Sequence, residues 1–538
     1  MSIGIVTTKY GRLKGAELSG KYEGITVFRS VPYAAPPIGN LRFAPPQDHA
    51  PWSGVRDVSH FAPRPYQAMG EGGNFEPWAT DFYFDGFTPM SEDCLYLSIA
   101  TGASEPGEKR PVFMWFHGGG LSTGFYSEHE FDPSELAKKG IIVVSVGQRL
   151  NIFGYLCLPQ LSAEQGGHSG NYGLLDEIKA LDWVRENIEA FGGDPDNITV
   201  GGQSGGTAKS TSLALSPLAK GKIKRVINQS NLAWRSTFKT MDEAAEDAKK
   251  YLKRLNIDPE SSVEALRALP PEAFYSSEQL PMGAPGSLPG GMVWDNYAIQ
   301  YQSNIENMEA FGMELDYLSG GNVGESALRG FGLGPAEPFV SAADFYHFMK
   351  EKLGDLYREY NFEALYPVND DNATLKSREL AARGFSSGFM SGVITNRYFG
   401  AYRKAKGSSA NTYSYAFGHY TPCLPEEKGT YRDTDNLLAW HSSELWYTFA
   451  SLSETMPPCR PWTEVDFRLA DTLSSYWANF IATGNPNGEN LPFWPESDDA
   501  FGWMFIKEEP DGRKGLDKLD QLALKVLMQD QNLPKISL

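Results

Sequence analysis

Positive charge is scarce in this sequence. The chain carries 48 lysines and arginines against 67 aspartates and glutamates, which gives a formal net charge of −19. Because nucleic acids and anionic membrane surfaces attract basic proteins, this balance disfavours both as partners. The sequence also lacks an uninterrupted apolar run long enough to span a bilayer. We therefore expect no nucleic-acid partner and no membrane span, while the charge balance leaves the oligomeric state open.

Cysteine is also scarce, and the first residues lack the apolar segment behind a basic end that marks a secretory signal. The cysteines show none of the short spacings of metal ligands, so no metal is expected. Such cysteines are typical of free thiols in a reducing compartment, which predicts a cytoplasmic protein. The 538 residues contain four of them: Cys94, Cys157, Cys423 and Cys459.

What the sequence does contain is an alternation of strand and helix patterns. Apolar stretches at 111–116, 141–146 and 198–200 predict buried strands. Between the last two, apolar residues recur at steps of three and four from 174 to 191, which predicts one face of a helix ending at Gly192. This alternation indicates an α/β protein with a large, mostly parallel central sheet and helices on both faces.

Two further regions, around 235–300 and 340–405, also predict helices. We interpret them as insertions that cap a site, within a single catalytic domain that spans residues 1–538. Hydrophobic residues make up 41% of the chain, which is enough for a large core. We find no internal repeat and no low-complexity segment.

A G-x-S-x-G pattern from Gly202 to Gly206 lies between the predicted strand at 198–200 and a predicted helix at 207–214. A sharp strand-to-helix turn needs residues without a Cβ on both sides, and it leaves the central serine exposed above the sheet. Ser204 is therefore a candidate nucleophile. The alternative is an ordinary glycine turn, since the pattern alone is weak.

A second glycine-rich motif, His117-Gly118-Gly119-Gly120, follows the predicted strand at 111–116. Consecutive glycines leave backbone N–H groups uncovered, as in the loops that bind the oxyanion of an acyl-transfer reaction. The alternative is a flexible loop without a function in binding.

Acyl transfer by a serine also needs a base and an acid that orients it. In enzymes whose nucleophile lies at such a strand-to-helix turn, these follow the serine in the order acid, then histidine. The candidate bases are His347, His419 and His441, and the candidate acids are Asp295, Asp316 and Glu325.

Together these motifs resemble the type-B carboxylesterase and lipase family of α/β-hydrolases, which includes the cholinesterases. The resemblance covers nearly the whole chain, and its style is that of a fungal or microbial member. Besides the two motifs above, it includes Val31-Pro32-Tyr33-Ala34, Leu41-Arg42-Phe43, Ser91-Glu92-Asp93-Cys94-Leu95-Tyr96-Leu97, Gly170-Asn171-Tyr172-Gly173-Leu174-Leu175-Asp176, Phe191-Gly192-Gly193-Asp194-Pro195 and Trp477-Ala478-Asn479-Phe480.

The resemblance implies a role for each matching residue. His441 lies in an A-x-H-x-x-E segment and Glu325 in the family's acid segment, which makes them the base and the acid. Ser230 matches a buried serine near the catalytic residues. Two pairs, Arg42 with Glu92 and Arg149 with Asp176, are expected to be structural ion pairs. The implied catalytic residues are Ser204, Glu325 and His441, with oxyanion donors at Gly119, Gly120 and Gly205.

The sequence departs from the family pattern at several positions. Gln203 replaces the usual glutamate before the serine, and Gly205 replaces the usual alanine after it. Asn231 stands where a glycine is usual. The cysteine that often pairs with the one matching Cys94 is absent near Pro65, which agrees with a reducing compartment.

The expected function is hydrolysis of a small-molecule carboxylic ester through an acyl-enzyme, without a cofactor. Since Gln203 is uncharged and aromatic residues are frequent between 75 and 87, we expect neutral esters with apolar or aromatic groups. Two alternatives stay open. The same residues could transfer the acyl group to another acceptor or form or open a lactone, and related folds also serve as non-catalytic binding modules.

Overall fold

The computed structural model describes residues 2–67, 89–230, 233–275, 287–325, 339, 341–380, 392–430, 432–456, 459–530 and 533–536. The aromatic residues between 75 and 87 that entered the substrate prediction lie outside these ranges, as does Asn231. The chain forms two compact units. The first contains residues 1–227 and 233–315, and the second contains residues 228–232 and 316–538.

The first unit is built on a sheet with parallel strands at its centre. Arg110–Phe116 pairs in parallel with both Ile142–Val146 and Gly193–Gln203, and these strands contain the three apolar stretches predicted as buried strands. From Ile142–Val146 outward to Ala16–Glu17, the pairs are antiparallel. The order is Arg225–Gln229 (of which 225–227 belong to this unit), Gly193–Gln203, Arg110–Phe116, Ile142–Val146, Tyr96–Thr101, Thr26–Pro32 and Ala16–Glu17.

Smaller sheets and helices complete the first unit. The predicted helix is Tyr172–Asn187, which continues as a 3-10 turn and stops at Gly192 in the left-handed conformation, as predicted. The small sheets are Ile5–Thr7 with Arg12–Lys14 and Val55–Asp57, Arg64–Pro65 with Met90–Ser91, and Lys239–Thr240 with Val293–Trp294. The other helices are Ser134–Lys138, Asn151–Tyr155, Pro159–Glu164, Gly205–Ala214, Met241–Arg254, Val263–Ala268 and Asn304–Asn307.

In the second unit, three strands are parallel and the last is antiparallel. They are Asp316–Asn322, Thr412–Phe417, Trp503–Ile506 and Asp511–Arg513. Helices account for much of the rest, including the range 340–405 where the sequence predicted them. These helices are Ala342–Leu353, Asp355–Glu359, Phe362–Leu365, Ala373–Leu380, Gly392–Ala405, Thr434–Leu437, Leu445–Thr448, Glu464–Thr483 and Lys518–Asp530.

Both predicted ion pairs are present in the first unit, and both are buried. Arg42 donates to the two carboxylate oxygens of Glu92 at 2.6 and 2.5 Å. Arg149 donates to the two oxygens of Asp176 at 2.8 and 2.7 Å. Such two-point pairs satisfy both charges after burial. Among the helices in the described part of the chain, none is both long and apolar enough to cross a membrane.

Candidate active site

Ser204 lies at a sharp strand-to-helix turn in the first unit. It follows the strand Gly193–Gln203 and precedes the helix Gly205–Ala214, which we call the elbow helix. Its backbone has φ 56° and ψ −118°, a region that non-glycine residues rarely occupy. The side chain is half-buried. The predicted elbow is therefore present, and its strained serine is exposed enough to meet a substrate.

The glycines around Ser204 are required by close backbone approaches. A Cβ on Gly202 would collide with the main chain of Gly206, and a Cβ on Gly206 would collide with the carbonyl of Phe116. A Cβ on Gly205 would collide with the main chain of Gly120. The residue after the serine is therefore glycine because the backbone at Gly120 occupies the space of a side chain.

Residues 117–120, which we call the glycine loop, follow the strand Arg110–Phe116 and lie beside Ser204. Gly119 and Gly120 have φ 82° and 62°, which glycine adopts without strain. The carbonyl of Gly119 accepts hydrogen bonds from the backbone N–H of Thr123 at 3.0 Å and from its hydroxyl at 3.1 Å. Gln203 is buried, and a Cβ at Gly118 would lie 3.1 Å from its Oε1. The first unit thus brings together the predicted nucleophile and the predicted oxyanion glycines.

Lys209 is a residue of this region that the sequence analysis missed. It lies on the elbow helix, is fully buried, and donates from Nζ to the main-chain carbonyl of His117 at 3.0 Å. Burial lowers its pKa to about 7, although the carboxyls of Glu177 and Glu128 oppose the shift. A sequence signal existed, because this short helix of small residues carries only one charged side chain.

Glu325 and His441 form a buried pair in the second unit. Glu325 Oε2 lies 2.5 Å from His441 Nδ1, and its Oε1 accepts from the backbone N–H of Asn322 at 2.8 Å. The two side chains are only 5% and 7% exposed. A carboxylate on Nδ1 fixes the tautomer in which Nε2 is the free base nitrogen, and it stabilises the imidazolium that forms when Nε2 takes a proton.

Backbone and side-chain bonds hold the segments that carry this pair. Gly324 donates its N–H to the carbonyl of Ala439 at 2.9 Å. Asn322 donates its side-chain amide to the carbonyl of Trp440 at 2.6 Å. The acid segment and the histidine segment are therefore connected by two bonds between the residues that precede Glu325 and those that precede His441.

Glu444 is a second residue that sequence reasoning passed over, although it is the glutamate of the A-x-H-x-x-E segment. Ser230 donates to its Oε1 at 3.1 Å, and Asn322 donates to its Oε2 at 2.6 Å. Burial, and to a lesser extent repulsion from Glu325, raises the pKa of Glu444 to about 7. Ser230 is therefore a buried serine, as its resemblance implied, and it donates to Glu444.

The rival histidines occupy other environments. His419 Nε2 lies 2.8 Å from Asp466 Oδ1. Asp466 also accepts hydrogen bonds from the hydroxyl of Tyr447 and from the backbone N–H of Thr463, and the second bond caps the start of the helix Glu464–Thr483. His347 is 75% exposed on the helix Ala342–Leu353. The first histidine belongs to a structural network, and the second belongs to the surface.

The rival acids are also used structurally. Asp295 accepts three backbone N–H bonds, from residues 297, 298 and 299, and a further bond from Asn171. Asp316 accepts from the backbone N–H of Asn411 at 2.9 Å. Within the described residues, His, Cys, Asp and Glu side chains form no cluster that could hold a metal ion.

Comparison with known proteins shows what this arrangement resembles. The model of the "Carboxylesterase family" matches residues 2–522. The chain is 31% identical to the para-nitrobenzyl esterase of Bacillus subtilis (strain 168), over 91% of this chain and 92% of the relative. It is 30% identical to a medium-chain fatty acyl-CoA hydrolase precursor of Anas platyrhynchos, over 92% of this chain and 86% of the relative.

Solved structures of esterases are similar to this chain over nearly its whole length. The carboxylesterase EST55 of Geobacillus stearothermophilus matches with a TM-score of 0.73 and 27% identity, covering 97% of this chain and 99% of its own. A structure described as PNB esterase matches with a TM-score of 0.72 and 27% identity, covering 97% and 100%. These neighbours confirm the predicted α/β-hydrolase fold.

Proposed function

Because the chain belongs to the carboxylesterase family and hydrolyses carboxylic esters, we propose that Ser204 is the nucleophile of this reaction. His441 is its base, and Glu325 orients the base. The observation that carries the proposal is the 2.5 Å pair between Glu325 and His441 Nδ1. Three histidines follow Ser204 in sequence. His347 is exposed and the partner of His419 caps a helix, whereas the carboxylate partner of His441 is buried and caps none of the helices that the structure describes.

The reaction proceeds in two halves. Ser204 Oγ attacks the ester carbonyl carbon while its proton passes to His441 Nε2, and the carbonyl oxygen becomes an oxyanion. The N–H groups of Gly119, Gly120 and Gly205 stabilise that charge. The C–O bond to the alcohol then breaks, and the imidazolium returns its proton to the leaving alkoxide. Water, deprotonated by His441, repeats the sequence on the acyl-enzyme and releases the acid.

The test of the nucleophile is Ser204→Ala, assayed with a simple aryl ester. Loss of the nucleophile should reduce kcat on the order of 10⁴-fold with the thermal transition retained. Ser212→Ala is the matched control, because Ser212 is a buried serine on the same elbow helix. Turnover by Ser204→Ala at the level of this control would refute the assignment.

We further propose that the preferred substrates are neutral esters with apolar or aromatic groups. Gln203 is buried directly before the nucleophile, where a carboxylate would attract a bound cation by on the order of a few kcal/mol at an effective dielectric near ~20. A relative named for para-nitrobenzyl esters, which are uncharged and aromatic, supports this preference. Long-range attraction of cations by the net charge of −19 is screened by salt.

A choline ester and its uncharged isostere, compared at physiological salt, test this preference. We expect the uncharged ester to have the higher kcat/KM. A preference of tenfold or more for the choline ester would contradict the proposal and would indicate cation binding on aromatic faces instead.

A further inference from the structure

We propose that Lys209 is a positioning residue that connects the elbow helix to the glycine loop and thereby sets the geometry of the oxyanion-stabilising amides. This inference rests on the proposed function, because it takes Ser204 as the nucleophile and the glycine amides as the oxyanion donors. Lys209 itself is buried and does not touch the substrate.

The main-chain carbonyl of His117 is the link between Lys209 and the loop. Lys209 Nζ donates to it at 3.0 Å. Since a peptide unit is planar, with its C=O and N–H pointing in opposite directions, holding this carbonyl fixes the plane between His117 and Gly118. The bond therefore determines the direction in which the glycine loop leaves the strand. Thr123 holds the carbonyl of Gly119 further along.

Gln148 provides Lys209 with a second acceptor. Its side-chain amide is assigned from its partners, so that the nitrogen donates to the carbonyl of Val146 at 2.8 Å. In this orientation its oxygen accepts from Lys209 Nζ at 2.8 Å and lies 3.2 Å from His117 Nε2. Burial and the positive charge of Lys209 lower the pKa of His117 well below its ordinary value, so the imidazole is neutral. Lys209 Nζ thus bonds to the backbone carbonyl of His117 and to the amide oxygen of Gln148, which also lies within 3.2 Å of the His117 imidazole.

The position of Lys209 in the chain explains why this link matters. Two oxyanion donors, Gly119 and Gly120, lie on the loop, and the third, Gly205, begins the elbow helix. Their N–H groups must converge on one oxygen, and small displacements of such donors are costly in rate. Lys209 lies one turn further along the same helix and bonds to the residue that opens the loop. It therefore fixes one set of donors relative to the other.

Burying an ammonium group is unfavourable, and nearby carboxyl groups offset part of that cost. Glu177 and Glu128 both face Lys209 closely enough to oppose the lowering of its pKa. Glu128 interacts in turn with Glu130, and burial raises the pKa of both carboxyls. A lysine buried in this environment, with His117 and Gln148 as direct acceptors, is expected to have a role beyond packing.

The test compares Lys209→Met, which keeps the length of the side chain but removes the donor, with Lys253→Met, an exposed lysine on the helix Met241–Arg254. We expect kcat of Lys209→Met to fall about 10- to 100-fold, with KM changed less than about threefold, since the lost stabilisation acts in the transition state. The inhibition constant of an aryl trifluoromethyl ketone, whose serine adduct carries an oxyanion, should rise by the same factor.

The double variant Lys209→Met/Glu177→Gln separates positioning from charge balance. If Lys209 only neutralises a buried carboxylate, removing that carboxylate should restore kcat and overturn the proposal. If Lys209 positions the loop, the double variant should fold and keep both the reduced kcat and the weaker inhibition. Failure of both variants to show a cooperative thermal transition would instead assign Lys209 to folding, which also overturns the proposal.

Comparison with Ser204→Ala distinguishes this inference from the function on which it rests. An inactive Ser204→Ala together with a fully active Lys209→Met would overturn the role of Lys209 alone. Full activity of Ser204→Ala would overturn the proposed nucleophile, and with it the basis for assigning the loop.

Discussion

Two buried carboxyl groups, Glu325 in the second unit and Glu177 in the first, have different surroundings. In the second unit, each oxygen of Glu325 has a donor, His441 for one and the backbone of Asn322 for the other. In the first unit, neither oxygen of Glu177 has a hydrogen-bond partner within the described residues, and burial raises the pKa of this carboxyl to about 8. Without donors to stabilise its charge, the carboxyl of Glu177 is favoured in the protonated form by burial, whereas the two oxygens of Glu325 are both hydrogen-bonded.

Replacing His441 should have the largest effect on activity. His441→Ala removes the base, and kcat is expected to fall about 10³- to 10⁴-fold with the fold retained. His347→Ala, at an exposed position, is the matched control and should match the wild type. Measurement of kcat for an aryl ester, with a thermal melt of each variant, provides the test.

His419→Ala sharpens this prediction, because His419 also has a buried carboxylate partner. Its loss should lower the melting temperature through the network of Asp466, and the folded fraction should keep kcat within about tenfold. A loss of activity in His419→Ala as large as in His441→Ala would show that the assignment of the base is wrong.

Adding one methyl group at Gly205 should have the next largest effect. Gly205→Ala places a Cβ where the main chain of Gly120 lies, so the glycine loop must move. Displacing one oxyanion donor reduces kcat about 10²- to 10³-fold in other enzymes, and a similar loss is expected here. The measurement is kcat together with trifluoromethyl ketone inhibition, and both should change in parallel.

Gly291→Ala is the control for Gly205→Ala, because a Cβ at Gly291 meets no atom of the described residues. It should leave kcat unchanged. Wild-type activity in Gly205→Ala would mean that the loop tolerates alanine as the resemblance to relatives suggests, and that the close approach of Gly120 has no part in catalysis.

The central strands of the first unit and the end of its helix Tyr172–Asn187 could be predicted from local sequence patterns. The apolar stretches at 111–116, 141–146 and 198–200 were correctly predicted as strands of a mostly parallel sheet, and Gly192 ends its helix as expected. These features depend on periodicity and on glycine geometry, which a single sequence records. The antiparallel direction of the outer strand pairs in the first unit was not predicted, since pairing direction is set by distant residues.

The site could be predicted only in part. The position of Ser204 follows from its glycines, but Glu325 was selected over Asp295 and Asp316 by resemblance rather than by its own surroundings. Lys209 was missed because a lysine on a helix normally indicates an exposed face, whereas nine of the ten residues of this helix are buried. Which polar residues become buried together depends on tertiary packing, and the single charge on this helix of small residues does not show what Lys209 contacts.

The smallest expected effect concerns stability at alkaline pH, through Glu177. A carboxyl whose pKa is 4.5 when unfolded and about 8 when folded favours folding most when it is protonated. Its contribution is complete below the unfolded pKa and is lost as the pH rises through about 8. Lys209 has the opposite dependence, since its lowered pKa makes its contribution fall as the pH decreases through about 7.

Glu177→Gln should therefore remove only the alkaline part of this dependence. The variant is expected to unfold with nearly the wild-type free energy near pH 5 and to be more stable than the wild type at pH 9, by on the order of a few kcal/mol. Denaturant unfolding at the two pH values measures the difference.

Glu186→Gln is the control, because Glu186 lies on the same helix but is about half exposed, and its effect should be small at both pH values. A Glu177→Gln protein that loses stability at pH 9 would show that Glu177 is ionised and paired with Lys209, and would remove the contrast between the two units.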